Sequence, residues 1–313
     1  MEIKKSDLID CHNRIKPFIH NTPVLTSNYI NEFTEAEVYF KCENFQKMGA
    51  FKMRGAANAI LRLSDEQKSN GVVTHSSGNH AQAISLAAKK IGIKAYIVMP
   101  SNAPEIKKEA VKGYGGELIE CEPSLKARQA AAEDLVDSKS ATFIHPSNNM
   151  DVILGQGTAA KELIEQYGSF DHIMVPIGGG GLIAGSALAV KYFGDNCTVI
   201  GTEPFEVDDA YRSLISGKIE TNISTNTIAD GLRTQLGDKN FPIILNEVKK
   251  IIRITENEII DSMKLIWQRL KIICEPSCSL PLAGILKNKN DFKGKKIGVV
   301  ITGGNIDLSN LRF

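Results

Sequence analysis

The sequence lacks any apolar run approaching the roughly 20 residues needed to cross a bilayer. Its first residues, Met1-Glu2-Ile3-Lys4-Lys5-Ser6-Asp7, are charged, without the apolar core of a secretory leader. It also lacks a dominant charge: 37 Lys and Arg stand against 36 Asp and Glu, a net charge of +1. That balance offers no electrostatic footprint for nucleic acid or an anionic membrane. Six cysteines, at 11, 42, 121, 197, 274 and 278, never form a C-x-x-C pair, so neither zinc nor a disulfide framework is indicated. Free thiols fit a reducing, cytoplasmic compartment. No repeat, low-complexity tract or Pro/Gly/Ser tether is visible. What remains is a 313-residue chain, 42% hydrophobic, long enough for one large domain or two smaller ones. Without a tether, two domains would have to be interleaved.

From residue 72 onward, strand and helix signals alternate. Strands are expected at 72–74, 95–99, 117–120, 142–144, 172–177, 198–201, 251–255 and 296–301. Helices are expected at 78–91, 104–114, 125–136, 153–167, 181–192, 207–216 and 256–270. Before that point a helix is expected over 7–18, a strand over 38–42 and a helix over 52–63. Such alternation implies an α/β fold with open, mostly parallel sheets and helices on both faces. Ligands in such sheets gather at the carboxyl ends of the strands.

Several segments at those ends carry chemistry. In Phe51-Lys52-Met53-Arg54-Gly55, apolar neighbours would desolvate the Lys52 amine, lower its pKa and make it nucleophilic. Taken alone, the stretch reads more readily as a surface helix, since most lysines are solvated. In Ser76-Ser77-Gly78-Asn79-His80, hydroxyls, an amide and an imidazole at a helix N-terminus suit a carboxylate, although Ser77 could simply cap the helix. Gly178-Gly179-Gly180-Gly181 lets several backbone N–H groups converge on one anion, a phosphate above all. The same glycines form a near match to a dinucleotide fingerprint, with Glu203 about 20 residues on. Thr302-Gly303-Gly304-Asn305 places a hydroxyl at a strand end, within reach of a ring nitrogen, or is a terminal turn. Glu203-Pro204-Phe205-Glu206-Val207-Asp208-Asp209 crowds four carboxylates that suit either a hard cation or a helix start.

Taken together, Phe51–Ala56, Ser76–His80, Gly178–Gly181, Glu275-Pro276-Ser277 and Thr302–Asn305 resemble, in order and over nearly the whole chain, the fold-type II (tryptophan synthase β-like) pyridoxal-phosphate enzymes. More narrowly the chain is similar to the serine racemase and serine/threonine dehydratase family. The resemblance implies two interleaved domains, 1–70 with 149–313 and 71–148 alone. It implies that Lys52 is the Schiff-base lysine, that Phe51 packs on the cofactor ring and that Asn79 bonds its 3-hydroxyl. Gly178, Gly179, Gly180 and Gly181 would hold the phosphate, and Thr302 would face the pyridine nitrogen. Ser77 matches the acid/base on the face opposite Lys52. Ser76, Ser77, Asn79 and His80 match the substrate-carboxylate site, and Arg128 matches an arginine beside the substrate side chain. Glu203, Asp209 and the carbonyl of Val207 match a divalent-cation site for Mg or Ca.

The expected activity is serine racemisation and β-elimination of water from L-serine or L-threonine, giving a keto acid and ammonia. The alternative is 3-hydroxyaspartate dehydratase activity giving oxaloacetate. A cytoplasmic homodimer and a nucleotide effector belong to the same expectation. Ala50 and Thr302 replace serines common in the family, and the chain ends at Phe313 with no segment for an amino-acid-sensing regulatory domain. A nicotinamide oxidoreductase would leave Lys52 and the Ser77 loop unexplained. A non-catalytic sensor would not need the complete set.

Overall fold

The computed structural model describes residues 3–307. Its strands are β1 (Val24–Leu25), β2 (Glu37–Cys42), β3 (Val72–His75), β4 (Ala95–Pro100), β5 (Glu117–Cys121), β6 (Thr142–Phe143), β7 (His172–Pro176), β8 (Thr198–Pro204), β9 (Val248–Ile254) and β10 (Lys296–Ile301). They form two sheets. The larger runs β1-β2-β10-β7-β8-β9 and the smaller β5-β4-β3-β6. Among the described strands the β1–β2 pair is antiparallel and the other strand pairings are parallel. The small sheet is drawn wholly from the middle of the chain, while β2 and β10, from opposite ends, lie side by side in the large one.

Alternation along the strands explains the helices on both faces. In β10, Ile297, Val299 and Ile301 enter one core while Val300 enters the other. In the small sheet, Val73, Tyr96 and Val98 pack with Ala132 and Leu135 of the helix Leu125–Lys139, whereas Val72, Ile97 and Met99 join the main core. Buried on both sides, these strands need a helix on each face.

Element ends follow local chemistry. The helix Met150–Tyr167 begins earlier than its apolar period because Asn149 Oδ1 accepts the N–H of Val152 at 3.1 Å. The helix Asp209–Ser216 begins later than 207 because the Val207 N–H is turned back onto the Pro204 carbonyl. The helix Lys52–Leu61 lies against Met150–Tyr167 at very short range. A Cβ on Gly155 would fall 2.5 Å from the Arg54 carbonyl oxygen, so only glycine permits this approach. That contact, and a buried ion cluster, seat the helix that Lys52 opens. Arg54 gives two hydrogen bonds to Glu43, at 2.7 and 2.8 Å, and two to Glu162, each at 2.8 Å, with Lys41 also on Glu162.

Candidate active site

Lys52 is the first residue of its helix, and the chain before it is tied to the end of β10. The Phe51 N–H donates to the Thr302 carbonyl at 2.9 Å, and Ala50 bridges to Gly303. The Lys52 ammonium donates to the Pro146 carbonyl at 2.8 Å and lies 5.1 Å from the centre of the Phe51 ring. Burial lowers its pKa to about 8, and the Glu275 carboxylate opposes the shift. Met53 is fully buried in the main core.

The loop Ser76–Gly78 follows β3. Gly78, not Ser77, stands at the N-cap of the helix Asn79–Ile91, with no side-chain cap. Ser76 Oγ accepts the Gly78 N–H at 3.3 Å, and the Ser77 hydroxyl has no capping duty. The first N–H groups of that helix lack intrahelical partners, as at any helix start. The Asn79 amide is held at both ends: Nδ2 donates to both oxygens of Glu275, and Oδ1 accepts from Asn305 Nδ2 at 2.8 Å. His80 is buried, with Nε2 3.2 Å from the Ile144 carbonyl and Nδ1 unpaired. Burial first, then the Lys52 charge, hold its pKa well below the usual value, so the ring is neutral and its single N–H goes to Ile144. The ring N–H of His80 is therefore directed at Ile144, and the residue's backbone N–H lies in the first turn of the helix.

The four glycines run from the end of β7 into the helix Gly181–Phe193, and all are buried. Gly180 sits at φ +79°, a left-handed geometry that favours glycine. A Cβ there would fall 2.6 Å from Leu236, and one on Gly179 would fall 2.3 Å from Ser147 Oγ. No side chain caps this helix, so its leading N–H groups are free for an anion. Thr302 is buried, its hydroxyl 3.1 Å from Cys278 Sγ.

Two contributors were not legible as functional. Glu275, 4% exposed, is pushed up to about 7 by burial and orients Asn79. Cys278 bonds both Thr302 Oγ1 and the Gly303 carbonyl. The Glu275-Pro276-Ser277 motif was visible, but nothing local ties it to Lys52 and Thr302.

Arg128 lies on the helix Leu125–Lys139, partly buried and near enough to His75 for its cation to add to the effect of burial in lowering the imidazole pKa. At the end of β8, Glu203 accepts the N–H groups of Ala210 and Tyr211 at 3.0 and 2.9 Å. Asp209 Oδ2 accepts the N–H of Leu236 at 2.9 Å, while its Oδ1 is buried without a partner. Burial, and then the charge of Asp209, raise Glu203 well above the usual carboxylate range. Asp208 is spent on Arg212 and Arg253. Among the described residues no cluster of three or more His, Cys, Asp or Glu side chains could hold a metal ion. Two buried carboxylates and one orphaned oxygen nevertheless fit a cation completed by carbonyls and water.

A buried lysine with a lowered pKa and a glycine-lined helix start, carried on two mainly parallel sheets, are the features of a pyridoxal-phosphate enzyme of fold-type II. The chain belongs to the family described as pyridoxal-phosphate dependent enzyme, whose sequence profile matches residues 15–303. It is 49% identical to the serine racemase of Dictyostelium discoideum over 311 residues, 97% of this chain and 95% of that protein. It is 48% identical to the beta-hydroxyaspartate dehydratase of Paracoccus denitrificans over 305 residues, 97% of each. A solved T.th. threonine deaminase superposes with a TM-score of 0.93 at 37% identity, covering 98% of this chain and 99% of that one. Among the described residues no helix is long and apolar enough to cross a membrane.

Proposed function

We propose that this enzyme removes water from β-hydroxy amino acids, L-serine and L-threonine, releasing a keto acid and ammonia, and racemises serine at the same site. The observation that carries the reading is the Lys52 amine, held by Pro146 with its pKa lowered to about 8, in a chain similar to racemases and dehydratases alike. Pyridoxal phosphate, when bound, supplies the electron sink that makes the substrate α-proton acidic. Gly178–Gly181 would hold its phosphate, Phe51 would pack on the ring, Asn79 would bond the 3-hydroxyl and Thr302 would face the ring nitrogen. Ser76, Ser77, Asn79 and the backbone N–H of His80 hold the substrate carboxylate. Lys52 Nζ takes the α-proton from one face, a task suited to an amine that titrates near working pH. Ser77 Oγ exchanges the proton on the opposite face, which gives the enantiomer.

The second reading is L-threo-3-hydroxyaspartate elimination to oxaloacetate, favoured by Arg128 beside His75 and by the likeness to the Paracoccus dehydratase. Glu203, Asp209 and the Val207 carbonyl are assigned to Mg or Ca, which the orphaned Asp209 Oδ1 supports. The membership of the two sheets supports a division into 71–148 and the remainder. Exposed Tyr29 and Phe33 offer apolar surface for a homodimer. The nucleotide effector is assigned to the recess lined by Asn44, Phe45, Lys271 and Asn305, where Phe45 could stack a base and Lys271 could pair with a phosphate. The expected compartment is the cytoplasm.

The test is direct. Borohydride reduction of B6-supplemented protein should leave a pyridoxyl group on the Lys52 peptide. Keto-acid formation from L-serine, D-serine and L-threo-3-hydroxyaspartate, with and without magnesium, ranks the substrates. Colourless protein with an unmodified Lys52 would reject the reading.

A further inference from the structure

One turn touches both halves of the cofactor site. His145-Pro146-Ser147-Asn148 joins β6 to the helix Met150–Tyr167. His145 Nδ1 accepts two backbone N–H groups, from Ser147 at 3.2 Å and from Asn148 at 2.8 Å. Pro146, between them, has no N–H to give, and its carbonyl receives the Lys52 ammonium at 2.8 Å. The next carbonyl, of Ser147, accepts Asn240 Nδ2 at 3.2 Å, and the same Nδ2 donates to the Gly179 carbonyl at 2.8 Å. The Asn148 side chain bonds Asp238 and the Lys239 N–H.

Two donors converging on one ring nitrogen leave that nitrogen no proton, so the proton of His145 resides on Nε2 and the ring is neutral. A proton on Nδ1 would set three donors against one another and open the turn. We propose that His145 is a positioning residue. Its bare Nδ1 fixes the 145–148 turn, which aims the Lys52 amine through the Pro146 carbonyl and keeps it in register with the Gly178–Gly181 loop. This rests on the reading of Lys52 as the cofactor lysine.

The groups around the ring agree. His75 faces it from the end of β3, Lys52 from its helix start, Lys239 and Asp238 from the loop before the helix Phe241–Glu247, and Phe143 lies edge-on from β6. Burial, then the charges of His75, Lys52 and Lys239, push the pKa down to about 4 against the opposing Asp238.

The alternative is a ring that only fills space beside Phe143, or that acts through Nε2. Asparagine at 145 places an amide oxygen where Nδ1 lies, whereas glutamine places its amide where Nε2 lies. His145→Asn should therefore keep cofactor affinity close to wild type, and His145→Gln and His145→Ala should weaken it by about tenfold to a hundredfold. In the apoproteins, acylation of Lys52 followed by mass spectrometry against pH should show an unchanged profile for Asn and a displaced one for Gln and Ala. In the unmutated holoenzyme, nitrogen NMR of labelled histidine should find His145 Nδ1 unprotonated at neutral pH, a measurement that does not depend on any variant folding. An Nδ1–H tautomer, an imidazolium, or glutamine rescuing where asparagine fails would overturn the proposal. So would a folded His145→Ala protein with wild-type affinity and acylation. Failure of borohydride to label Lys52 would instead overturn the functional reading, while the tautomer measurement still judges His145.

Discussion

Asn79 and Glu275 meet across a separation of 196 residues: Asn79 Nδ2 lies 3.0 and 3.1 Å from the two carboxylate oxygens of a side chain that solvent barely reaches. Burial pushes the Glu275 pKa up to about 7 from an ordinary 4.5, while the Asn79 bond works the other way. The folded pKa lies above the unfolded one, so the folded protein holds a proton that the unfolded chain releases. The resulting stability is full below about pH 4.5 and is lost as pH rises toward 7. Glu275→Gln carries no such proton. Its unfolding free energy from urea titration should vary less across this window, and at pH 8 it should exceed the wild-type value by up to roughly 2–3 kcal/mol. Because Glu275 supports the Lys52 ammonium, the same variant should also drop the Lys52 pKa below about 8 in the apoprotein. A pH dependence identical to wild type would dismiss the assignment.

Arg54 sits two residues beyond Lys52 and carries Glu43 and Glu162, with all three essentially buried. Removing a buried partner strands its carboxylates, at a cost of about 3–5 kcal/mol. Arg54→Met should lower the unfolding free energy measured in urea by that order at pH 7. Burial alone would raise the Glu162 pKa, but the His12 bond and the Arg54 and Lys41 charges outweigh it and hold it below the ordinary 4.5. Its contribution is therefore present above about pH 4.5 and disappears as pH falls further, so the deficit of the variant should shrink in acid. Denaturation at pH 7 and pH 4 measures both. A deficit under about 1 kcal/mol at pH 7 would show that the cluster is not what seats the helix.

Ser77 has no part in capping its helix, and its hydroxyl is free for chemistry. Ser77→Ala should lose racemisation and D-serine turnover while retaining part of L-serine elimination, because the two faces of the substrate are served by different groups. Chiral product analysis alongside a pyruvate assay reads this. Equal loss of all three activities would reject the two-base assignment.

Glu203 and Asp209 should make the protein cation-responsive. At about a hundredfold excess over the dissociation constant, Mg or Ca should add about 2.7 kcal/mol to stability, an increase in Tm of roughly 4 °C for a chain this long. Asp209→Asn should abolish the increase, and chelation should reverse it. A melting curve indifferent to both cations would show that the two carboxylates serve the backbone N–H groups alone.

How much of this was readable depended on range. The helix Glu256–Leu270 declares itself through Thr255 and Glu258, which form a reciprocal cap four residues long. The glycine loop and the Ser76–His80 loop are also local signals. The helix Leu280–Lys287 is not: it is apolar on nearly every side, with Pro281 in its first turn, so no period marks it. Asn28–Thr34 and Phe241–Glu247 are too short for one. The roles of Glu275 and His145 depend on contacts made across long stretches of chain, for which a single sequence carries no pattern. Ser77 was a plausible cap until Gly78 was seen to occupy that position.

Arg128 is the residue proposed to set substrate choice. It projects from a helix over the small sheet, and its charge acts on His75, the residue just before Ser76 and Ser77. A guanidinium there can grip a β-carboxylate with two parallel bonds, a geometry lysine cannot copy. Arg128→Ala should reduce kcat/KM for L-threo-3-hydroxyaspartate by about tenfold to a hundredfold, since a hydrogen bond to a charged group contributes about 1.5–3 kcal/mol. Arg128→Lys should recover little of that loss. L-serine has no β-carboxylate, so its kcat/KM should change far less. Steady-state kinetics on the two substrates with each variant decides the matter. A uniform decline on both would assign Arg128 to the fold of the small sheet, and unaltered hydroxyaspartate turnover would remove it from the site.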